Sequence, residues 1–157
     1  MENEHTYRVM AWWSAGKTGL AKSDSAPNAI HFAAPPQFGG LEERWSPEDL
    51  LLCALTACFT TTFRALAEYS KFDYIDLEVE AEGTVRKAES GYAFEQITLR
   101  PTLTLSGEKE RSLGDRIMEK AKRLCLISRA IATPQVFDPR VKVKAAKGES
   151  IDAVPVP

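Results

Sequence analysis

The sequence predicts an α+β fold built on antiparallel sheets. Three observations carry that prediction. The elements fall in the order βββ-α-ββ-α-β, and short Gly-bearing turns rather than crossover helices join neighbouring strands. Residues 75–85 also alternate as a half-exposed strand does: Ile75, Leu77, Val79 and Ala81 on one face, Asp76, Glu78, Glu80 and Glu82 on the other.

Taken in order, residues 6–13 are rich in β-branched and aromatic side chains and read as the first strand. Gly16-Lys17-Thr18-Gly19 supplies a turn into a second strand at 20–23. A third strand at 29–33 is closed by Pro35-Pro36, and residues 37–45 form an aperiodic loop. Ser46-Pro47-Glu48-Asp49 is a strong helix start: a capping hydroxyl, a proline at the first position, and two acids at the positive end of the dipole. This helix should run to about Tyr69.

Its first half is apolar almost all round, through Leu50, Leu51, Leu52, Ala54, Leu55, Ala57, Phe59 and Phe63. Such a helix is expected to be buried on most sides, and in so short a chain that points to a two-chain core, a homodimer. Residues 75–85 and 92–105 make a long hairpin around Ser90-Gly91. A second, amphipathic helix covers 108–124, with a short continuation over 125–132 stopped by Thr133-Pro134. A last strand is expected over 136–145.

The length of 157 residues fits one domain spanning 1–157, with a core at about 7–145 and a frayed tail at 150–157. Twenty Lys and Arg against 22 Asp and Glu leave a charge of −2, which argues against a nucleic-acid partner. With 44% hydrophobic and 27% charged residues, global disorder is excluded. The run at 50–55 is far too short to cross a bilayer, so no membrane role is expected. The first residues, MENEHTYRVM, show no secretion signal, and a cytoplasmic location is expected.

Three cysteines, Cys53, Cys58 and Cys125, make no disulfide framework. There is no C-x-x-C pair, and His5 and His31 are the only histidines, so no metal is expected. Thiol chemistry or plain burial remains. Cys58 lies among Thr56, Thr60, Thr61 and Thr62 inside an apolar helix, which suits either a polar-supported thiolate or a small core residue. Cys53 points about 140° away from Cys58 on the same helix and is expected in the core. Cys125 follows Lys122-Arg123-Leu124 at a helix end, where a thiol is either reachable with a lowered pKa or buried between Leu124 and Leu126.

At this point the sequence resembles a known family. Trp45-Ser46-Pro47-Glu48-Asp49-Leu50, followed by Ala57-Cys58-Phe59, is similar to the helix signature of the organic hydroperoxide resistance and osmotically inducible (Ohr/OsmC) proteins. The late cysteine in Ala121-Lys122-Arg123-Leu124-Cys125 and the element order match as well, over about residues 7–145. The resemblance implies an OsmC-like fold, with sheets wrapped around central helices in an intertwined homodimer.

It further implies a thiol peroxidase needing no metal or prosthetic group. Cys58 matches the cysteine that attacks an organic hydroperoxide and becomes a sulfenic acid. Cys125 matches the resolving cysteine that closes a disulfide, which an external dithiol of the lipoyl kind would reopen. Glu48 matches the family's active-site glutamate. It stands about 15 Å from Cys58 along a helix axis, so service to Cys58 requires the partner chain and an active site shared between chains. Its other reading is a helix-start acid.

The family's arginine has no direct match. One branch would place it at Lys17 in the first turn; the other would place it before the central helix, where this chain has Phe38 at the matching spacing and Arg44 nearer the helix. Lysine supplies charge without the two-pronged hydrogen bonding of a guanidinium. Leu126 also stands where a proline is often found. Trp12, Trp13, Phe38, Trp45, Phe59 and Phe63 are candidates for an apolar wall around a hydrophobic peroxide, or for plain core. The rival readings are a non-catalytic redox-sensing or ligand-binding dimer of the same fold, and a structural dimer with inert thiols.

Overall fold

The computed structural model describes residues 4–144, which form two compact units divided between Cys53 and Ala54. In the first unit, β1 (Val9–Ala15), β2 (Thr18–Ser23) and β3 (Ile30–Phe32) make an antiparallel sheet in the order β1-β2-β3. The predicted strands are all present, with ends shifted by a few residues. The β1–β2 turn narrows to Gly16 and Lys17, and Gly16 takes the left-handed backbone, φ 54°, that the turn needs. Beyond β3 the chain makes one 3₁₀ turn, Pro36–Phe38. Gly40 then passes so close to the chain that a Cβ there would lie 1.6 Å from the carbonyl oxygen of Ala34.

The helix α1 (Pro47–Tyr69) begins in this unit, as its start signal requires. Ser46 and Asp49 cap it reciprocally. The Asp49 N–H donates to Ser46 Oγ at 3.0 Å, while the Ser46 N–H and Oγ–H donate to Asp49 Oδ2 at 2.9 and 2.7 Å. The helix ends where Lys71 turns left-handed, φ 50°, letting the Phe72 N–H reach the Ala67 carbonyl at 2.8 Å.

Within one chain the buried residues of α1 are Leu55, Phe59, Phe63 and Ala67, a single stripe at every fourth position. The structure corrects one expectation. Cys53 is exposed, not core, because it lies off that stripe. Among the described residues α1 is also the one helix long and apolar enough, by length and composition, to cross a bilayer. Its core stripe and capped, acidic start are those of a domain's central helix.

In the second unit, β4 (Asp76–Ala88) and β5 (Gly91–Leu105) pair antiparallel through a two-residue turn, with an irregularity between Thr84 and Val85. The acids of β4 lie on its exposed face, as the alternation predicts. A 3₁₀ turn, Glu108–Glu110, leads into α2 (Arg111–Leu124), and Cys125 separates it from the short α3 (Leu126–Ala130). The expected last strand is in fact two, β6 (Gln135–Phe137) and β7 (Arg140–Val143), and both run parallel to β5. Asp138-Pro139 breaks the strand because proline has no N–H to give the ladder. Parallel pairing follows because α2 and α3 act as a crossover after β5. Ala145 and the tail at 150–157 lie outside the described residues.

The core of this unit joins the α1 stripe to Ile97, Leu99, Leu103 and Leu105 of β5 and to Ile117, Met118 and Ala121 of α2, all nearly inaccessible. Each large side chain buried there contributes about 1.5–3 kcal/mol. Gly114 lets α2 sit close on β5, since a Cβ there would come within 2.8 Å of Leu103. This packing sets Cys125, at the end of α2, into the same interior.

Candidate functional site

Cys58 lies on α1 one position before the buried Phe59, so its side chain points along the margin of the core and is half-buried. Burial alone pushes its thiol up. Four donors outweigh that: the backbone N–H of Ile127, the thiol of Cys125, the backbone N–H of Leu126 and the hydroxyl of Thr62. The balance lowers the Cys58 pKa below that of an ordinary thiol. The free N–H groups that open the first turn of α3 therefore serve a sulfur on another helix.

Of the threonines around Cys58, Thr62 alone acts on its sulfur, standing one helical turn along the same face. Thr60 donates to its own helix at the Thr56 carbonyl, 2.8 Å away. Thr61 donates to the carbonyls of Ala57 and Cys58, both at 3.0 Å. These are ordinary ways for a helix to satisfy hydroxyls.

Cys125 is fully buried, which settles its two sequence readings against the accessible, low-pKa one. Burial raises its pKa, the N–H of Ser128 pulls it down, and the hydrogen bond and charge of Cys58 raise it again; the net direction is up. The site thus holds two thiols in contact with opposite tendencies. Cys58 ionises more readily than an ordinary thiol, and Cys125 less readily.

Behind Cys125 lies a polar cluster that sequence reasoning missed. Lys122 donates to Ser128 Oγ and, at 2.7 Å, to Gln135 Oε1. Ser128 Oγ–H donates to the same oxygen at 2.6 Å, and Gln135 Nε2 donates to the Ser128 carbonyl at 2.8 Å. The one signal in the sequence was Lys122 itself, a turn before Cys125 on an amphipathic helix. Phe59, expected on a substrate wall, is wholly buried with its ring 5.8 Å from that of Phe137. Phe63 is likewise core.

The remaining candidates belong to the first unit. Lys17 is exposed and donates to the Gly39 carbonyl at 2.8 Å. Phe38 is partly exposed in the 3₁₀ turn beside it. Arg44 and Trp45 line one open cleft of about 370 Å³ with Ile30 and His31, and Arg44 also donates to the Glu43 carbonyl at 3.0 Å. Glu48 Oε2 is shielded from solvent and has no hydrogen-bond partner among the described residues. Among the described residues no three His, Cys, Asp or Glu side chains gather as a metal site.

The family model described as OsmC-like protein matches residues 40–140. The chain belongs to the OsmC-like family. It is 27% identical to the protein YmaD of Bacillus subtilis over 131 residues, covering 82% of this chain and 87% of that one. It is 24% identical to the peroxiredoxin OsmC of Escherichia coli over 127 residues, covering 81% and 87%. Among solved structures, an OsmC-like protein from Vibrio cholerae superposes with a TM-score of 0.77 at 18% identity, over 87% of this chain and 99% of that one. An organic hydroperoxide resistance protein from Elizabethkingia anophelis gives 0.71 at 22% identity, over 92% and 100%. These likenesses show that the chain has the OsmC-like fold.

Proposed function

We propose that this OsmC-like protein is a thiol peroxidase that reduces organic hydroperoxides to alcohols. The contact between a half-buried, readily ionised Cys58 and a buried, protonated Cys125 carries the proposal. The Cys58 thiolate attacks the peroxide oxygen; the O–O bond breaks, the alcohol leaves, and Cys58 becomes a sulfenic acid. Cys125 attacks that sulfur, water leaves, and a disulfide forms. An external dithiol, of the lipoyl kind by family resemblance, restores both thiols. The name of the Escherichia coli relative supports a peroxidase role.

The protein works in this proposal as one OsmC-like domain, in the cytoplasm, as a homodimer whose chains share the active site. Much of α1 outside its core stripe is apolar and only half-buried, as at Leu50, Leu51 and Leu52, which favours a second chain against it. Glu48, with its buried oxygen, awaits a donor that the described residues do not supply. Lys17 and Arg44 are the basic candidates for the peroxide end, and Phe38 and Trp45 for its apolar chain.

The experiment is a steady-state assay with an alkyl hydroperoxide and a small dithiol. Sustained turnover lost in Cys58→Ser, with Cys125→Ser giving one turnover and a trapped sulfenic acid, is the expected result. A single stoichiometric oxidation of the unmodified chain would favour the redox-sensing reading, and full turnover by Cys58→Ser would overturn the assignment.

A further inference from the structure

We infer that Lys122, held by Ser128 and Gln135, is a positioning residue for the second thiol, its ammonium charge supporting the Cys125 thiolate in the step that closes the disulfide. The inference rests on the peroxidase reading for that step, and on the structure alone for the charge. Lys122 stands on the last turn of α2, one turn before Cys125, and its Nζ is fixed by Ser128 Oγ and Gln135 Oε1. All three are at least partly buried. These hydrogen bonds offset the cost of half-burying the ammonium and hold it on the side of α2 that leads to Cys125.

The clamp ties three elements together: α2 through Lys122, α3 through Ser128 and β6 through Gln135, which is itself fixed by pairing with Ile97 of β5. The α3 turn so tethered is the one whose N–H groups meet both sulfurs. The ionisable group from α1 that acts on Cys125 is Cys58, and the charge of Cys125 is in turn felt by Lys122 on α2, whose clamp partner Ser128 also gives its backbone N–H to Cys125. From β6 comes only the neutral Gln135 amide, from α3 the Ser128 hydroxyl, with Arg129 exposed. Cys58 opposes ionisation of Cys125, so Lys122 is the cation set to favour it. Burial lowers the Lys122 pKa and the Cys125 charge raises it, the reciprocal sign of the same attraction.

In the closing step the Cys125 thiol gives up its proton and its sulfur attacks Cys58. The S–O bond of the sulfenic acid breaks, and the departing hydroxide takes up a proton and leaves as water. Cys125 is oxidised and the Cys58 sulfur reduced, with no other reactant. Once Cys58 is a sulfenic acid it carries no thiolate charge, so the Lys122 field acts on Cys125 unopposed when it is needed.

The test uses the full chain. The Cβ resonance of labelled Cys125 is followed by NMR against pH in the unmodified protein, in Lys122→Gln, which keeps a hydrogen-bonding end, and in Lys122→Arg, which keeps the charge. A rise of the Cys125 midpoint by about half a unit to one unit in Lys122→Gln, and not in Lys122→Arg, is expected. After one equivalent of alkyl hydroperoxide, Lys122→Gln should form the Cys58 sulfenic acid at the normal rate but close the disulfide roughly three- to tenfold more slowly near neutral pH. An unmoved midpoint overturns the inference whether or not peroxide is consumed. A moved midpoint in a chain that consumes no peroxide leaves the charge assignment standing and overturns the peroxidase reading instead.

Discussion

The thiols of Cys58 and Cys125, one mid-helix on α1 and the other at the end of α2, are near enough to act on one another, the first shifted toward the thiolate and the second toward the thiol. Each alters the other's acidity. Against its burial, the first sulfur is made more acidic by the Ile127 N–H, its neighbour's thiol and the Leu126 N–H; the second is made less acidic by burial and by its neighbour's charge.

The pH dependence of labelling follows in sign. A depressed pKa keeps Cys58 ionised further down in pH, and its reactivity is lost only as pH falls through that lowered value. Its alkylation rate against pH, read by peptide mass spectrometry, should reach half its plateau below the midpoint of a free, solvent-exposed thiol measured alongside. That of Cys125 should do so above it. A Cys58 midpoint at or above the ordinary value contradicts the geometry.

Leu126→Pro removes one donor without disturbing the turn. Leu126 opens α3, a position proline suits, but proline has no N–H to give Cys58. The Cys58 midpoint should rise by about half a unit while thermal stability changes by less than about 1 kcal/mol. Equal midpoints in the two proteins would mean that the Leu126 N–H does not support the thiolate.

Gly40→Ala tests the tight passage beside β3. The added methyl meets a backbone carbonyl rather than a flexible side chain, so the segment at 34–40 has to move. A loss of about 1–3 kcal/mol in urea unfolding is expected, and unchanged stability would show that the loop yields freely.

Ser46→Ala removes the hydroxyl that accepts from Asp49 N–H and donates to Asp49 Oδ2. About 1 kcal/mol of stability should be lost, measured by the same unfolding curves, with little effect on the acidity of Cys58.

Much of this was legible in the sequence because short-range rules governed it. Ser46-Pro47-Glu48-Asp49 announced α1, and the alternation from Ile75 announced β4. What escaped depended on the backbone or on distant packing. No side-chain pattern could show that the Leu126 and Ile127 N–H groups would meet Cys58, or that Gln135 would arrive to hold Lys122. The apolar circumference of α1 suggested burial on most sides, but one chain covers only the stripe through Phe59 and Phe63. Cys125 could be read from the sequence as an accessible helix-end thiol or as buried between Leu124 and Leu126, and only the packing around it decided for burial.

That enclosure fixes a regiochemistry. With Cys125 sealed in the interior and Cys58 at its margin, a bridge formed between them presents only one end to an incoming thiol. On the proposed peroxidase reading, exchange is then expected to proceed through a mixed disulfide on α1, with the inner sulfur as the leaving group.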